Sequence, residues 1–227
     1  MKPKYIIVAG TNGAGKSTLY LSNSSMFENT IRINADEILR KNKGNWQNDR
    51  DNAKAMKQVV KLMDKAFEEK QSFHQETTLA GRGHNKWINK AKKNGYEISL
   101  FYVALSNAEL AINRVNERVK KGGHGVPQET IIKRYERSLN NLKEVAKVCD
   151  NVMIYDNSKN LELIYKRTGN EIKVNRLWEY SYLNKLFLIG EEINHHNFSI
   201  ENVKAQDKTI RQNFYKDKSI KKLDQER

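Results

Sequence analysis

The segment GTNGAGKS, residues 10–17, constrains the fold more than any other part of this sequence. It fits the pattern G-x-x-x-x-G-K-[ST] at every position, and it follows the short β-branched apolar run KYIIVA. Glycines in such a loop let backbone N–H groups curl around phosphate oxygens, and the helix that follows adds the positive end of its dipole. The pattern therefore predicts a buried strand, a phosphate-binding loop and a helix that begins near Lys16.

This loop also assigns roles to individual side chains. Lys16 is expected to reach the β- and γ-phosphates, and the hydroxyl of Ser17 is expected to ligate Mg²⁺. The predicted nucleotide-binding residues are Gly10, Thr11, Asn12, Gly13, Ala14, Gly15, Lys16, Ser17 and Thr18. We therefore expect the chain to bind ATP or GTP together with Mg²⁺.

Strand and helix patterns alternate over the first 156 residues. Apolar runs predict further strands at 30–34, 72–76, 97–105 and 151–156, and amphipathic periodicity predicts helices at 49–70, 84–95, 107–121 and 128–147. Such alternation is typical of a three-layer α/β fold in which a mostly parallel sheet carries helices on both faces.

The pattern changes after residue 157. LELIYKRTGNEIKVN predicts two strands around a Thr-Gly-Asn turn, and a helix near 176–189 and a polar stretch follow it. We therefore expect a core of residues 1–157 and a C-terminal appendage, residues 158–227, made of a hairpin, a helix and a polar tail.

Polar residues follow the second and third predicted strands, where ligands of parallel sheets bind. Asp36 comes after the second strand and could accept the proton of an attacking hydroxyl, although it could also simply cap the next helix. Glu76 and Thr77 end the third strand. They could bind substrate hydroxyls or a hydrated Mg²⁺, or Glu76 could be a solvated edge residue.

The stretch RVNERVKKGGHGVP, residues 114–127, joins a basic helix to a second predicted helix through a glycine-rich turn. A mobile lid of this kind, residues 114–137, could bring Arg118 and Arg134 onto a transferring phosphoryl group and exclude water. His124 could bind substrate or phosphate. The alternative is two surface helices whose arginines are solvated.

Several ordered motifs together carry a resemblance to a known family. GTNGAGKST, the Asn-Ala-Asp at Asp36, QETTLAG, and RV..RV..GGHGVP followed by RYERSLNNL resemble the zeta-toxin-like P-loop kinases, in particular their compact stand-alone branch, the predicted ABC-type ATPases. The LSGGQ signature of transporter ATPases is absent from the sequence. The resemblance covers residues 4–157.

This resemblance implies a kinase of small molecules. Well-studied zeta toxins phosphorylate the 3′-hydroxyl of the N-acetylglucosamine unit of UDP-N-acetylglucosamine, and their base, Walker lysine and Mg²⁺ ligand fall on Asp36, Lys16 and Ser17. Their lid arginines fall on Arg118 and Arg134. A protein antitoxin becomes a candidate partner. NADEILRKN lacks the histidine of the D-x-[FY]-R-x-x-H stretch that helps recognise the sugar nucleotide, so the acceptor stays open.

Composition bears on partners and compartment. No apolar run of about 18 residues predicts a membrane span, and one cysteine, Cys149, predicts a cytoplasmic protein. The net charge of +14 is also compatible with a nucleic-acid partner.

From the motifs and the resemblance together, we expect ATP-dependent phosphoryl transfer to a small-molecule hydroxyl. The alternatives are a polynucleotide or RNA-acting kinase and a non-catalytic nucleotide-sensing module.

Overall fold

The structure, a computed structural model, describes residues 2–183. Strands and helices alternate along this part of the chain, as the sequence patterns predict. The elements are β1 (Lys4–Ala9), α1 (Lys16–Ser22), β2 (Ile31–Ile33), α2 (Ala35–Lys41), α3 (Asp49–Glu68), β3 (Phe73–Thr77), α4 (His84–Lys93), β4 (Glu97–Ala104), α5 (Ala108–Lys120), α6 (Gln128–Val148), β5 (Asn151–Asp156), β6 (Glu162–Thr168) and β7 (Glu171–Asn175), with short 3₁₀ helices at Ser24–Phe27 and Leu177–Glu179.

All seven strands belong to one sheet in the order β2-β3-β1-β4-β5-β6-β7. The pairs from β2 to β5 are parallel, whereas β6 and β7 pair antiparallel to their neighbours. The mostly parallel α/β fold is therefore confirmed. The hairpin that we expected to begin an appendage instead continues the sheet, because β6 pairs with β5 along its whole length. The helix expected near 176–189 and the polar tail lie mostly outside the described residues.

The alternation of side chains along the central strand β1 builds two apolar layers. Tyr5 and Ile7 pack on one face against residues from α2, α3, α4 and the second half of α6. Ile6 and Val8 pack on the other face, against residues from α1, α5 and the first half of α6. Helices therefore cover both faces of the sheet, which gives the predicted three layers.

Asparagines begin three of the helices. The side chains of Asn34, Asn48 and Asn107 accept hydrogen bonds from backbone N–H groups in the first turns of α2, α3 and α5. Such caps fix where a helix starts, because the first N–H groups of a helix have no partner within it. Two of these starts, those of α2 and α5, lie at the carboxyl edge of the sheet, and they orient the residues described next.

Candidate active site

The phosphate loop, residues 10–17, connects β1 to α1 at the carboxyl edge of the sheet. Gly10, Gly13 and Gly15 all have positive φ, the conformation that glycine adopts most easily. At Gly15, with φ of +96°, an added Cβ would also collide with the side-chain amide nitrogen of Asn157. No described side chain caps α1, so its first N–H groups face the loop.

Lys16 lies at the centre of this loop. Its ammonium group donates hydrogen bonds to the carbonyl oxygens of Gly10, at 2.8 Å, and Thr11, at 3.1 Å. Ser17 and Thr18 are exposed in the first turn of α1, in position to reach a bound ligand. The loop thus combines a lysine, a hydroxyl and free N–H groups, as the motif predicts.

The charged groups that influence Lys16 are four of the residues predicted from the sequence to form the site. Burial lowers the pKa of Lys16, the carboxylates of Glu76 and Asp36 raise it, and the guanidinium groups of Arg118 and Arg134 lower it. Residues that lie up to 118 positions apart in sequence, from Lys16 to Arg134, therefore share one site. These four charged side chains therefore lie close enough to Lys16 to influence its protonation.

The segment that we expected to act as a lid, residues 114–137, brings both predicted arginines near the phosphate loop. Arg134, on α6, donates from Nη1 to the side-chain oxygen of Asn12 at 3.0 Å, and burial lowers its pKa while Asp36 opposes that change. Arg118 lies in the last turn of α5, and its buried Nε and Nη2 atoms have no hydrogen-bond partner in the part of the chain that the structure describes. Unpaired buried donors of this kind suit an anion, because leaving them unpaired is costly.

Asp36 does not cap α2. Asn34 does, since its Oδ1 accepts from the N–H groups of Asp36, at 2.8 Å, and Glu37, at 3.3 Å. The interpretation of Asp36 as a simple capping residue is therefore wrong. Its side chain is 53% exposed, and its Oδ1 lies 3.8 Å from Nε2 of His124 in the lid. The carboxylate is thus accessible to an acceptor and held next to the lid.

His124 is not a free surface histidine. Its side chain is 23% exposed and packs against Trp46, with the ring centroids 5.7 Å apart. Burial lowers the pKa of His124, the Asp36 carboxylate raises it, and the arginines of the lid lower it further. The shift favours a neutral imidazole beside the carboxylate.

Glu76 reaches the site, but it is engaged by a residue that the sequence patterns did not single out. Arg32 donates to Oε1 of Glu76 from Nη2 at 2.5 Å and from Nε at 3.2 Å, and its Nη1 lies 2.8 Å from Oε1 of Glu37. The guanidinium carbon also lies 4.4 Å from the ring centroid of Tyr20. Because the Glu76 side chain is only 7% exposed, Arg32 compensates a nearly buried charge.

Thr77 serves the turn after β3. Its Oγ1 accepts a hydrogen bond of 3.1 Å from the N–H of Leu79, which has a positive φ of 59°. The hydroxyl can still donate its own hydrogen. Thr77, directly after Glu76, therefore stabilises an unusual backbone conformation.

Asn157, after β5, is a second residue that the sequence patterns missed. Its side-chain amide donates to the carbonyl of Ala14 at 2.8 Å and lies against Gly15, so it supports the phosphate loop from the end of β5, two strands away from β1. The next residue, Ser158, accepts a 3.3 Å hydrogen bond from Arg114 of the lid. The one sequence signal for Asn157 is its place at the carboxyl end of a predicted parallel strand.

An open groove of about 460 Å³ lies along α5 next to these residues. It is lined by Asn113, Arg114, Glu117, Arg118, Lys121 and Gly123. The groove therefore lies beside Arg118, one of the two arginines that influence Lys16.

A phosphate loop on a parallel sheet, faced by arginines from a helix–loop–helix segment, defines a P-loop kinase, a class that uses a nucleoside triphosphate. The chain belongs to the zeta toxin family, whose model matches residues 1–169. The family resemblance and the kinase class predicted from the motifs are thus confirmed.

Similar proteins include one sequence relative and two solved structures. An uncharacterized protein of Haemophilus influenzae is 33% identical over 136 residues, which is 60% of this chain and 94% of that protein. A solved structure from the PezAT chromosomal toxin–antitoxin system of Streptococcus pneumoniae has a TM-score of 0.56 and 20% identity, covering 84% of this chain and 85% of that one. AvrRxo1-ORF1:-ORF2 with ATP has a TM-score of 0.66 and 12% identity, covering 80% of this chain and 63% of that one. At these identities the structures show a shared fold.

Among the described residues, neither a membrane-spanning helix nor a group of metal-binding side chains is found. Within residues 2–183 no helix combines the length and apolar character needed to cross a bilayer. The same residues contain no group of three or more histidine, cysteine, aspartate or glutamate side chains arranged to hold a metal ion.

Proposed function

We propose that the protein transfers the γ-phosphoryl group of ATP to a hydroxyl of a small molecule, with Asp36 as the base. The observation that carries the proposal is the placement of Asp36. Its carboxylate is freed from helix capping by Asn34, is half exposed, and lies close enough to Lys16 to raise the pKa of the lysine. A base in that position can reach both the acceptor and the donor phosphate.

The proposed reaction follows from these positions. The acceptor hydroxyl gives its proton to Asp36, and its oxygen bonds to the γ-phosphorus. The bond from that phosphorus to the β–γ bridging oxygen breaks, and ADP leaves. Lys16, Arg118 and Arg134 stabilise the negative charge on the transferring group, a contribution worth about 10³–10⁵ in rate for an arginine in other P-loop enzymes.

The donor set fits Mg²⁺. The ion is usually held by one or two protein oxygens together with substrate phosphates and water, so a cluster of protein ligands is not required. Ser17 supplies a hydroxyl in the first turn of α1, and the Glu76 carboxylate is near enough to Lys16 to orient a hydrating water. When bound, Mg²⁺ would neutralise charge on the β- and γ-phosphates.

We propose a nucleotide sugar such as UDP-N-acetylglucosamine as the leading acceptor, because the chain belongs to the zeta toxin family. The missing histidine after Asp36 means that other residues must contact the sugar nucleotide. Candidates are His124, which lies beside Asp36, and Glu76 and Thr77 at the end of β3. A related molecule with a ring hydroxyl is the alternative within this class.

A protein antitoxin is the proposed macromolecular partner. The support is the family and the likeness to a structure from a toxin–antitoxin system. The alternatives of a nucleic-acid kinase and of a nucleotide sensor gain no specific support from the described residues, and both are outcomes of the test below.

The test is transfer of ³²P from γ-labelled ATP with Mg²⁺ to three acceptors in parallel: UDP-N-acetylglucosamine, a small-metabolite extract and a 5′-hydroxyl oligonucleotide. Lys16→Ala should abolish transfer, and Asp36→Asn should lower kcat by about 10²–10⁴. Glu37→Gln is the matched control, since Glu37 is the adjacent carboxylate but pairs with Arg32.

Label on the sugar nucleotide or on a metabolite, lost with Asp36→Asn and kept with Glu37→Gln, would support the proposal. Label on the oligonucleotide alone would assign the protein to nucleic-acid processing. Nucleotide binding without transfer to any acceptor would favour the sensor and overturn the kinase mechanism.

A further inference from the structure

We propose that Trp46, in the segment between α2 and α3, is a positioning residue that holds the glycine loop of the lid, residues 122–125, against the acceptor side of the site. The inference rests on the proposed function for its catalytic consequence, but the contact itself can be tested without activity. Its basis is a set of contacts that connect Trp46, Gly125, His124 and Asp36.

The first observation is the close approach of the indole to Gly125. A Cβ added to Gly125 would lie 2.6 Å from Cη2 and 2.8 Å from Cζ2 of Trp46, and 3.0 Å from Cγ2 of Val119. Real Cβ atoms essentially never come so close to other atoms. The indole thus occupies the space that a side chain at position 125 would need, and steric contact with Trp46 explains the glycine.

The second observation is that the same indole packs on His124. The two rings lie 5.7 Å apart at an interplanar angle of 52°, and Nε2 of the same imidazole lies 3.8 Å from Oδ1 of Asp36. Trp46 therefore contacts two adjacent residues of the glycine loop, and through His124 it acts on the position of the proposed base.

The third observation is that the segment bearing Trp46 is fixed to α3. The backbone carbonyl of Trp46 accepts a 2.8 Å hydrogen bond from the side chain of Asn52, and the N–H of Asn45 donates to Asp51 at 3.1 Å. These hydrogen bonds fix the position of the indole relative to α3, which also packs against α2. When the lid packs on the indole, its distance from Asp36 is therefore fixed.

Gly123 constrains the other end of the glycine loop. A Cβ there would lie 2.6 Å from Cγ and 2.9 Å from the carbonyl oxygen of Arg118. The glycine loop is therefore packed on Arg118 at one end and on Trp46 at the other. When the glycine loop packs against Trp46, the positions of both Arg118 and His124 are therefore fixed.

The other described tryptophans have different surroundings. Trp87 lies parallel to Phe67 with a centroid separation of 6.1 Å, and Trp178 is 60% exposed. Among the described residues, no ring contact joins either of them to residues 122–125. Trp87→Phe therefore serves as a matched control for loss of an indole elsewhere.

The experiment compares the wild-type protein with four variants of the full chain: Trp46→Ala, Trp46→Phe, Gly125→Ala and Trp87→Phe. Amide hydrogen exchange of residues 121–127 measures the lid contact directly, since local opening exposes backbone N–H groups. Steady-state kinetics with the best acceptor give kcat and KM for ATP. Urea unfolding shows that each variant is folded.

We expect Trp46→Ala and Gly125→Ala to speed exchange in residues 121–127 at least tenfold while leaving β4 unchanged. The same variants should lower kcat about 10- to 100-fold, the size expected when a catalytic group is slightly misplaced, with KM for ATP changed less than about threefold. Trp46→Phe should have exchange rates and kcat close to those of the wild-type protein, because it keeps an aromatic ring at this position. Trp87→Phe should change neither quantity.

Unchanged exchange in residues 121–127 with Trp46→Ala and Gly125→Ala would overturn the lid contact. Faster exchange together with an unchanged kcat would overturn the positioning role. If the wild-type chain transfers no phosphate but the exchange result holds, the proposed function fails while the contact between Trp46 and the lid stands.

Discussion

Lowering the pH from 7.5 to 5 should cost the folded protein about 2 kcal/mol through His74 alone. His74 lies in β3, is 1% exposed, and stacks on Tyr20 with ring centroids 5.2 Å apart. The hydroxyl of Thr30 donates to the carbonyl of Phe27 at 2.6 Å, so Nδ1–H of His74 is the donor in its own 2.7 Å bond to Thr30. Protonation would therefore place a second hydrogen on Nε2, which is buried without a partner among the described residues.

The magnitude follows from the two protonation states. Burial, assisted by Arg32 and opposed by Glu76, lowers the pKa of His74 from 6.5 to about 4. The unfolded chain takes up a proton as the pH falls through 6.5, whereas the folded protein resists it until about pH 4. Stability is therefore lost over that interval, by about 2 kcal/mol at pH 5 and about 3 kcal/mol near pH 4.

Urea unfolding of the wild-type protein and His74→Gln at pH 7.5, 6 and 5 measures this contribution. The variant should be less stable at pH 7.5, because it loses the ring contact with Tyr20. The difference in free energy of unfolding between the wild-type protein and His74→Gln should then be about 2 kcal/mol smaller at pH 5 than at pH 7.5. This corresponds to a change of about 1 M in the difference between their urea midpoints. Other titrating groups cancel in the difference. A gap that stays constant across this pH range would refute the reasoning.

Three further substitutions probe the supports of the site. Asn157→Ala should raise KM for ATP about 5-fold with little effect on kcat, because it removes one hydrogen bond that supports the phosphate loop. Asn34→Ala should lower the free energy of unfolding by about 1 kcal/mol in urea titrations and also lower kcat, since the cap sets the position of Asp36. Arg32→Met should destabilise the fold by about 2 kcal/mol, because it leaves the Glu76 carboxylate nearly buried and unpaired. Thermal unfolding at pH 7.5 compared with Glu37→Gln, which loses only the more exposed ion pair, checks this last value.

The sequence predicts those features that depend on local patterns. The strand at 97–105, the amphipathic helix at 49–70 and the phosphate loop are found as β4, α3 and the connection from β1 to α1. Each is encoded by consecutive residues with one period or one motif. The positions of Asp36 and Glu76 at the carboxyl edge follow because parallel strands end on the same side.

The remaining features depend on residues that meet only after folding. Arg32 and Glu76 are 44 positions apart, and no local pattern connects them. The choice of Asn34 over Asp36 as the cap depends on where β2 ends, an uncertainty of two residues in any prediction from sequence. The pairing of β6 with β5 could not be predicted because the hairpin pattern looks the same whether it stands alone or extends a sheet.

The hairpin formed by β6 and β7 has a practical consequence for dividing this protein. A chain trimmed at residue 157 would leave without partners those backbone N–H and C=O groups of β5 that pair with β6, along a strand that contains the buried residues Val152 and Ile154. Open apolar edges of this kind recruit strands from other copies. The natural edges differ, because β2 is only three residues long and β7 carries Glu171 and Lys173. A shortened chain is therefore expected to aggregate, and protein prepared for crystallisation or interaction assays should keep the hairpin.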